Sequence, residues 1–363
     1  MHKIGKEDRV YLAVIPELFD GLGWHKLGTP TKEFSAETLQ HVLFEHDFAE
    51  AGILLPDGTF HKTGERYAIA KDTGLPIGTT VSDRYARPTN KQLFELLQRS
   101  LTGSGFEIVS CGTVEDRVQF FVDAKQKDLT RAAGRDIANF FGIHAGFGGK
   151  SSTVFCGHNT VIQCGNTTAL FLQEALKNEG VIKAKNTTNI LEKLPGIEKA
   201  IEFQIGVAGE FAKAMEASAK VKMTREQARD GYLGSLATVL TVPLKEVNTR
   251  AANRVKRMTD LFQIGAGNGG ENAADFFNGF TDYFTHESAT SENDDLSEKK
   301  NEQRRAKQWF SSEFGTARTV KQNLSEMLFE KGKFRREGLN KLIETGRELY
   351  QGIKDKDLIA AIN

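Results

Sequence analysis

Phe106-Glu107-Ile108-Val109-Ser110-Cys111-Gly112-Thr113, then Val114-Glu115-Asp116, then Arg117-Val118-Gln119-Phe120-Phe121-Val122-Asp123-Ala124 is the stretch that decides the fold class. Two β-branched and aromatic runs flank a short polar turn, which predicts an antiparallel hairpin. In the second arm Val118, Phe120 and Val122 recur at period two and share one face. Downstream, Ile137 to Ala145 is apolar on both faces and reads as a central strand. Thr153 to Cys164 is β-rich, and Thr168 to Leu176 takes helical spacing.

Working outward, the N-terminal side mixes both element types. Ser35 is a plausible N-cap for a helix reaching Phe44. Arg66–Lys71 and Pro76–Val81 flank Asp72-Thr73-Gly74, a hairpin turn with Gly in the left-handed position. Thr89-Asn90-Lys91-Gln92 is a capping box opening a helix that carries Leu93, Phe94, Leu96 and Leu97. From about residue 188 helical spacing dominates. Thr224-Arg225-Glu226-Gln227 is a second capping box, and Pro243 is placed as a first helical residue. Gly267-Asn268-Gly269-Gly270 reads as loop, and residues 287–297 as a mobile linker rich in Ser, Asp, Glu and Asn. A basic helix is expected from about Leu296 toward Phe310, and charged amphipathic helices over the last forty or so residues. The expectation is an α+β protein: residues 1–187 form an antiparallel sheet with helices, and residues 188–363 are mainly helical.

Composition narrows the function classes. Lys plus Arg and Asp plus Glu each number 48, so the whole-chain charge gives no case for nucleic acid or an anionic membrane. The 25 Phe against 6 Tyr and 2 Trp point to packing rather than polar-tipped contacts. No apolar run approaches the ~20 residues of a membrane span, and Met1 to Asp8 is polar rather than a leader. Three cysteines, Cys111, Cys156 and Cys164, show no framework spacing, so the expectation is a cytoplasmic protein with reduced thiols.

The motifs weigh mostly against cofactors. Gly146-Phe147-Gly148-Gly149-Lys150-Ser151 fails the Walker pattern, because His144 stands where its first Gly belongs. The loop reads first as a β–β connection, although its backbone N–H groups and Lys150 are able to meet a phosphate. Cys156, His158 and Cys164 match no zinc spacing. On one strand the two cysteines lie about 27 Å apart at ~3.4 Å per residue, so buried thiols are the preferred reading. Gly265 to Gly270 follows a helix rather than a strand and is no dinucleotide loop. No nucleophile–base–orienter set is visible, so no catalytic residue, metal or cofactor is assigned.

Local charge is more informative. Lys299 to Arg336 holds eleven basic and four acidic residues, an excess of seven, including Arg304, Arg305, Lys307, Arg318 and Lys321. Residues 245–257 hold Lys245, Arg250, Arg254, Lys256 and Arg257 against Glu246 alone. A phosphate backbone is drawn to such faces with steep salt dependence; solvated helix surface is the equally weighted alternative.

Five segments together resemble a known family. Trp24-His25-Lys26-Leu27-Gly28-Thr29 resembles its Trp-His-x-Leu-Gly-Thr signature, and Tyr85 to Asn90 with Phe94 its Tyr…Asn…Phe segment. Val161-Ile162-Gln163-Cys164-Gly165-Asn166-Thr167 resembles its Val-x-x-Cys-x-Asn-Thr junction, and Asn278 to His286 its Asn…Thr-x-Tyr-x-Asp-His run. Arg305, Gly315 and Lys321 fall where its C-terminal pattern places them. The chain is thereby similar to the phage- and plasmid-like proteins classed as domain of unknown function 932. It departs at Thr285, where Asp is usual, and at Gly146–Gly149, which replaces a His-Asp-Gly-like loop.

The resemblance implies mobile-element biology and no known reaction. With the basic segments and the β-β-β-α order, a layout shared with single-strand annealing proteins by fold-level analogy only, it points to a binder of single-stranded DNA. Lys150, Arg250, Arg254, Arg257, Arg304, Arg305, Lys307, Arg318 and Lys321 would track the backbone and Phe147 would stack a base. A second reading is a homo-oligomeric or host-protein-binding interaction protein. A third is an enzyme using Cys164, Asn166 or His286. Against it, Asn166 reads first as the cap of the helix near Thr168, worth ~1 kcal/mol.

Overall fold

The computed structural model describes residues 9–12, 28–114, 117–148, 152–161, 166–168, 181–186, 197–240, 243–265, 267–287, 315–330 and 332–363. Strands β1 (Arg9–Leu12) and β2 (Thr29–Thr31) come first, followed by a one-turn helix α1 (Ala36–Leu39). A meander of β3 (His46–Leu54), β4 (Phe60–Ala70) and β5 (Pro76–Ser82) leads to helix α2 (Asn90–Ser100). Then come β6 (Phe106–Val114), β7 (Gln119–Gln126), β8 (Thr130–Ala132), β9 (Arg135–Gly146), β10 (Ser152–Val161), β11 (Asn166–Thr168) and β12 (Val181–Lys185). The rest is helical: α3 (Ile197–Ala219), α4 (Arg225–Val239), α5 (Thr249–Ile264) and α6 (Ala273–Asp282). Helix α6 runs on as a π-helical turn, Tyr283–Glu287, and α7 (Gly315–Leu328) follows. A two-stranded ribbon of β13 (Phe329–Glu330) and β14 (Lys333–Phe334) then leads to α8 (Arg336–Gln351) and α9 (Lys356–Ile362). The fold is α+β, with the sheets in the N-terminal half and the long helices after them.

The large sheet runs β11-β10-β9-β7-β6-β1-β2, with β12 also on β10 and β8 on β9. Its pairs are antiparallel except β1 with β2, which are parallel. The hairpin read from residues 106–124 is β6–β7, and β9 is the central strand, paired to β7 on one side and β10 on the other. Phe120, Val122, Ala124, Phe141, Ile143 and Phe155 form one face. Leu93, Phe94 and Leu97 of α2 and Ile197, Ala200 and Ile201 of α3 close over it. Each such aromatic or branched side chain contributes about 1.5–3 kcal/mol by leaving water.

Local signals explain several boundaries. Thr89 and Thr224 each accept a hydrogen bond from the backbone N–H of Gln92 and Gln227, which return the bond through their own side chains. Ser35 caps α1 with Thr38 as its reciprocal partner. That helix stops at Leu39, short of the expected Phe44, which packs instead against Phe147, Ile77 and Ala68. Pro243 is not a first helical residue: α5 begins at Thr249, where the Asn248 side chain accepts from Ala251 N–H. Asn166 does not cap a helix, since residues 166–168 form a strand paired antiparallel to β10. Residues 169–176, the linker from 288 on and the basic helix expected to Phe310 lie outside the described residues.

The helical core gathers Phe211, Met215, Tyr232, Leu236, Val255, Met258, Phe262, Phe276, Phe280, Leu324 and Leu342. Phe276, Phe277 and Phe280 of α6 are all packed within it. Helices α4 and α8 pack side by side, and glycines set how closely. A methyl group built on Gly346 would land on the Asp230 carbonyl, and one on Gly234 on the Leu342 carbonyl. The two halves also share packing. Ala132 and Ile137 of the sheet belong to the helical core. Helix α3 gives its first turns to the sheet core and Phe211, Ala214 and Met215 to the helical one.

Candidate functional site

A buried cationic cluster sits where the small sheet β3–β5 meets the end of β9. After β5 the chain passes through Tyr85, Ala86, Arg87 and Pro88 to the Thr89 cap. Arg87 is only 5% exposed. Its guanidinium donates to Asn90 Oδ1 at 2.8 Å, to the Pro88 carbonyl at 3.1 Å and to the Ala145 carbonyl at 3.4 Å. It lies 4.1 Å over the Phe147 ring, a contact strengthened by the absence of water. Among the described residues no carboxylate pairs with it, its Nε has no partner, and burial takes its pKa down to about 10. His46 presses edge-on against Phe147 at 4.8 Å, with Nδ1 unpartnered. Burial first, then Arg87, lowers the imidazole pKa to about 4, so the ring is neutral at pH 7.

Neutral groups complete the cluster. Tyr85 donates its hydroxyl to the Gly146 carbonyl at 2.8 Å, and Asn186 donates to the Tyr85 oxygen at 3.1 Å. Thr153 donates to Asn186 Oδ1 at 2.8 Å, and Asn90 donates to the Val42 carbonyl at 2.7 Å. Gly78, at φ +68°, lets the Phe147 carbonyl approach where any Cβ would collide. Phe147 is 2% exposed, so it holds Arg87 rather than offering a ring to a base. Tyr85 and Asn90, two residues of the sequence motifs, thus brace the junction of the two sheets.

The other face of the large sheet is unusually polar. The register aligns Tyr11, Ser110, Asp123 and Gly142 across β1, β6, β7 and β9. Arg9, Ser110, Asp123 and Lys125 are all buried, and Arg9 Nε donates to the Ser110 hydroxyl at 2.8 Å. Burial raises Asp123 to about 7 against the pull of Arg9, and lowers Arg9 to about 10 against the pull of Asp123. On the apolar face Cys111 is buried, which pushes its thiol well above the ordinary range and makes it inert.

A third network ties the sheet to the helices. Arg135, at the start of β9, forms a buried ion pair with Asp275 of α6. It also donates to Asn268 Oδ1 at 3.2 Å, and Asn278 donates to the same oxygen at 3.4 Å. Asn268 in turn donates to the Leu261 carbonyl at 2.8 Å. The glycine-rich segment before α6 therefore presents Asn268 to the sheet instead of opening toward a nucleotide. Asn278 is buried there, and α6 packs beside β11, which begins with Asn166. Two motif segments meet at this seam, whereas Tyr85 and Asn90 serve the other junction.

The π-helical turn carries the last motif. Such turns recur at functional sites. Here Glu287 accepts two bonds from Arg257, both 2.6 Å. Asp282 is pushed up to about 7, by burial first and then by Glu287, with Arg257 opposing. The His286 side chain, Trp24, His25, Cys164, Lys150, Arg304, Arg305 and Lys307 lie outside the described residues, as do the side chains of Cys156, His158, Asn166 and Arg318. No group of three His, Cys, Asp or Glu among the described residues is placed to hold a metal.

Of the basic residues singled out in sequence, Arg250 is exposed and Arg254 half-buried, with no ion pair among the described residues. Arg257 shares their stripe but is held by Glu287. Lys321 is a correction: at 6% exposure it is buried on α7 rather than solvent-facing. Arg87, Arg9 and Arg135 escaped sequence reading. The only local signal was the position of Arg87 inside the Tyr85–Asn90 motif; the partners of the others lie about a hundred or more residues away.

No helix among the described residues is long and apolar enough to cross a membrane. No curated protein and no solved structure matches the chain. Residues 79–310 do match the family described as Domain of unknown function (DUF932), and because that match spans more than half of the 363 residues, the chain belongs to this family.

Proposed function

We propose that the protein binds nucleic acid, single-stranded DNA in the first instance, along the basic side of α5. The observation that carries this reading is that Lys245, Arg250, Arg254 and Lys256 form no ion pair among the described residues, with Glu246 the only acid in 245–257. Arg250, Arg254 and Arg257 recur at i, i+4 and i+7, one stripe along the helix. Two turns span about 10 Å at 1.5 Å per residue, a scale suited to successive phosphates. The basic excess of Lys299 to Arg336 and the mobile-element character implied by the sequence motifs support the same reading. Annealing of complementary strands is the finer proposal.

Anisotropy of a labelled oligonucleotide over a salt series tests it. Binding is expected to weaken steeply with salt, at about 0.7 log units per phosphate contact per log unit of salt. Arg250→Glu with Arg254→Glu is expected to lower that slope by about 1.4, the contribution of two contacts. No binding at micromolar protein in ~50 mM salt would overturn the proposal, since even non-specific binders respond there.

A further inference from the structure

The arginine stripe of α5 changes character along its length. Arg250 and Arg254 form no ion pair among the described residues. Arg257, the next member, is closed: its Nε donates to Glu287 Oε2 and its Nη2 to Glu287 Oε1, both at 2.6 Å. This is the two-pronged grip that a guanidinium makes on a carboxylate or on a phosphate, since either anion offers two oxygens to one fork. The carboxylate comes from another element. Glu287 ends the π-helical turn after α6, so the bond is not the i, i+4 pairing of an ordinary helix surface. The two side chains stay 45% and 27% exposed, and an exposed ion pair adds little stability. What the bond does change is which guanidinium groups of α5 an outside anion can reach.

The surroundings grade the helix in the same direction. Among the described residues, three carboxylates act on Arg257: Glu287, Asp260 and Asp282. Asp260 stands three residues beyond it on α5, 3.3 Å from Arg225, and Asp282 ends α6. Toward the other end, Glu246 is the only acid in 245–257. A strand lying along α5 would therefore pass from a cationic to an anionic surface between residues 250 and 260, about three turns. We infer that Glu287 takes the place of a phosphate on Arg257 and so ends the nucleic-acid contact of α5 at Arg254. The inference rests on the nucleic-acid reading of this helix and deepens it: the stripe offers two guanidinium groups to a strand, and an internal carboxylate withholds the third.

Arginine modification by phenylglyoxal on the full chain, read residue by residue by mass spectrometry with and without an oligo-dT, tests it. In wild type the oligonucleotide is expected to protect Arg250 and Arg254 and to leave the reactivity of Arg257 unchanged. In Glu287→Gln it is expected to protect all three. The salt slope of binding in that variant is expected to steepen by about 0.7, the contribution of one more contact. Affinity then rises roughly fivefold at ~0.1 M salt, a gain that fades toward 1 M. Glu246→Gln removes the same charge without releasing an arginine, and is expected to leave both the slope and Arg257 as in wild type. Protection of Arg257 in wild type as full as that of Arg250 would overturn the inference, and that result needs no variant to fold. So would a Glu287→Gln chain that binds with Arg257 unprotected, or a Glu246→Gln chain whose slope steepens equally. These outcomes leave nucleic-acid binding by α5 standing, whereas a wild type that neither binds nor gains protection at any arginine would overturn both.

Discussion

Replacing Gly346 by Ala separates two opposed effects by sign. In a helix interior Ala is favoured over Gly by about 0.8–1 kcal/mol, so a Gly346 facing open space would stabilise on substitution. In the fold the new methyl group would strike the Asp230 carbonyl and the Gly234 nitrogen of α4. Both are backbone atoms, which no rotamer change can move aside, so α8 must retreat from α4. Overpacking of this kind costs typically 1–3 kcal/mol. The retreat also loosens Leu339, Leu342 and Ile343 from the core and disturbs the Arg347–Asp230 contact at 3.6 Å. The net expectation is a loss of about 1 kcal/mol, the steric term exceeding the propensity gain. At roughly 2–4 °C per kcal/mol for chains of 150–250 residues, and less for a longer one, the melting midpoint falls by about 2 °C. Gly206→Ala on α3 is the control: its methyl group meets nothing within 4 Å, so it should be neutral or gain up to about 1 kcal/mol. Guanidinium unfolding followed by circular dichroism measures both. Equal stabilisation by the two substitutions would refute the close approach of α4 and α8.

Two further predictions concern buried charge. Arg135→Met leaves Asp275 uncompensated in the core and is expected to cost about 3–5 kcal/mol, whereas adding Asp275→Leu recovers most of it; a single variant as stable as wild type would count against the pair. For His46 the folded pKa, about 4, lies below the unfolded value of 6.5. Its contribution is therefore intact above pH 6.5 and lost as pH falls toward 4, by up to about 3 kcal/mol at 1.36 kcal/mol per unit. Asp123 and Asp282, both raised to about 7, tilt stability the opposite way over the same window. The comparison is thus between wild type and His46→Phe: the urea midpoint of wild type is expected to fall relative to that of the variant as pH drops from 7 to 4.5. Parallel midpoints at every pH would show that His46 does not resist protonation.

What was legible in the sequence was local. The β6–β7 hairpin announced itself by period two, and Thr89 and Thr224 by side chains that bond backbone three residues on. The strand β9 was legible because both its faces are apolar. What failed depended on distant partners. Phe147 looked available for stacking until Arg87 and His46 closed over it. Lys321 counted as surface charge, yet its position on α7 is buried. Asn166 resembled a cap because the strand register that claims it is set by Val161. Arg135 and Asp275 are separated by 140 positions, and no periodicity encodes such a pair. The exposed end of the β3–β4 hairpin was hidden for the opposite reason: Ile53, Leu54 and Phe60 look like core residues in sequence.

The double allegiance of α3 governs how the protein can be taken apart. A piece ending before Ile197 would strip the cover from Phe141, Ile143 and Phe155, and a piece starting after Ala219 would leave the helical core without Phe211 and Met215. Cutting at the family limits, residues 79 and 310, fares no better, since it removes α8 and lays bare the glycine face of α4. Dissection by fragments would report on damaged cores, so roles in this chain have to be assigned one side chain at a time.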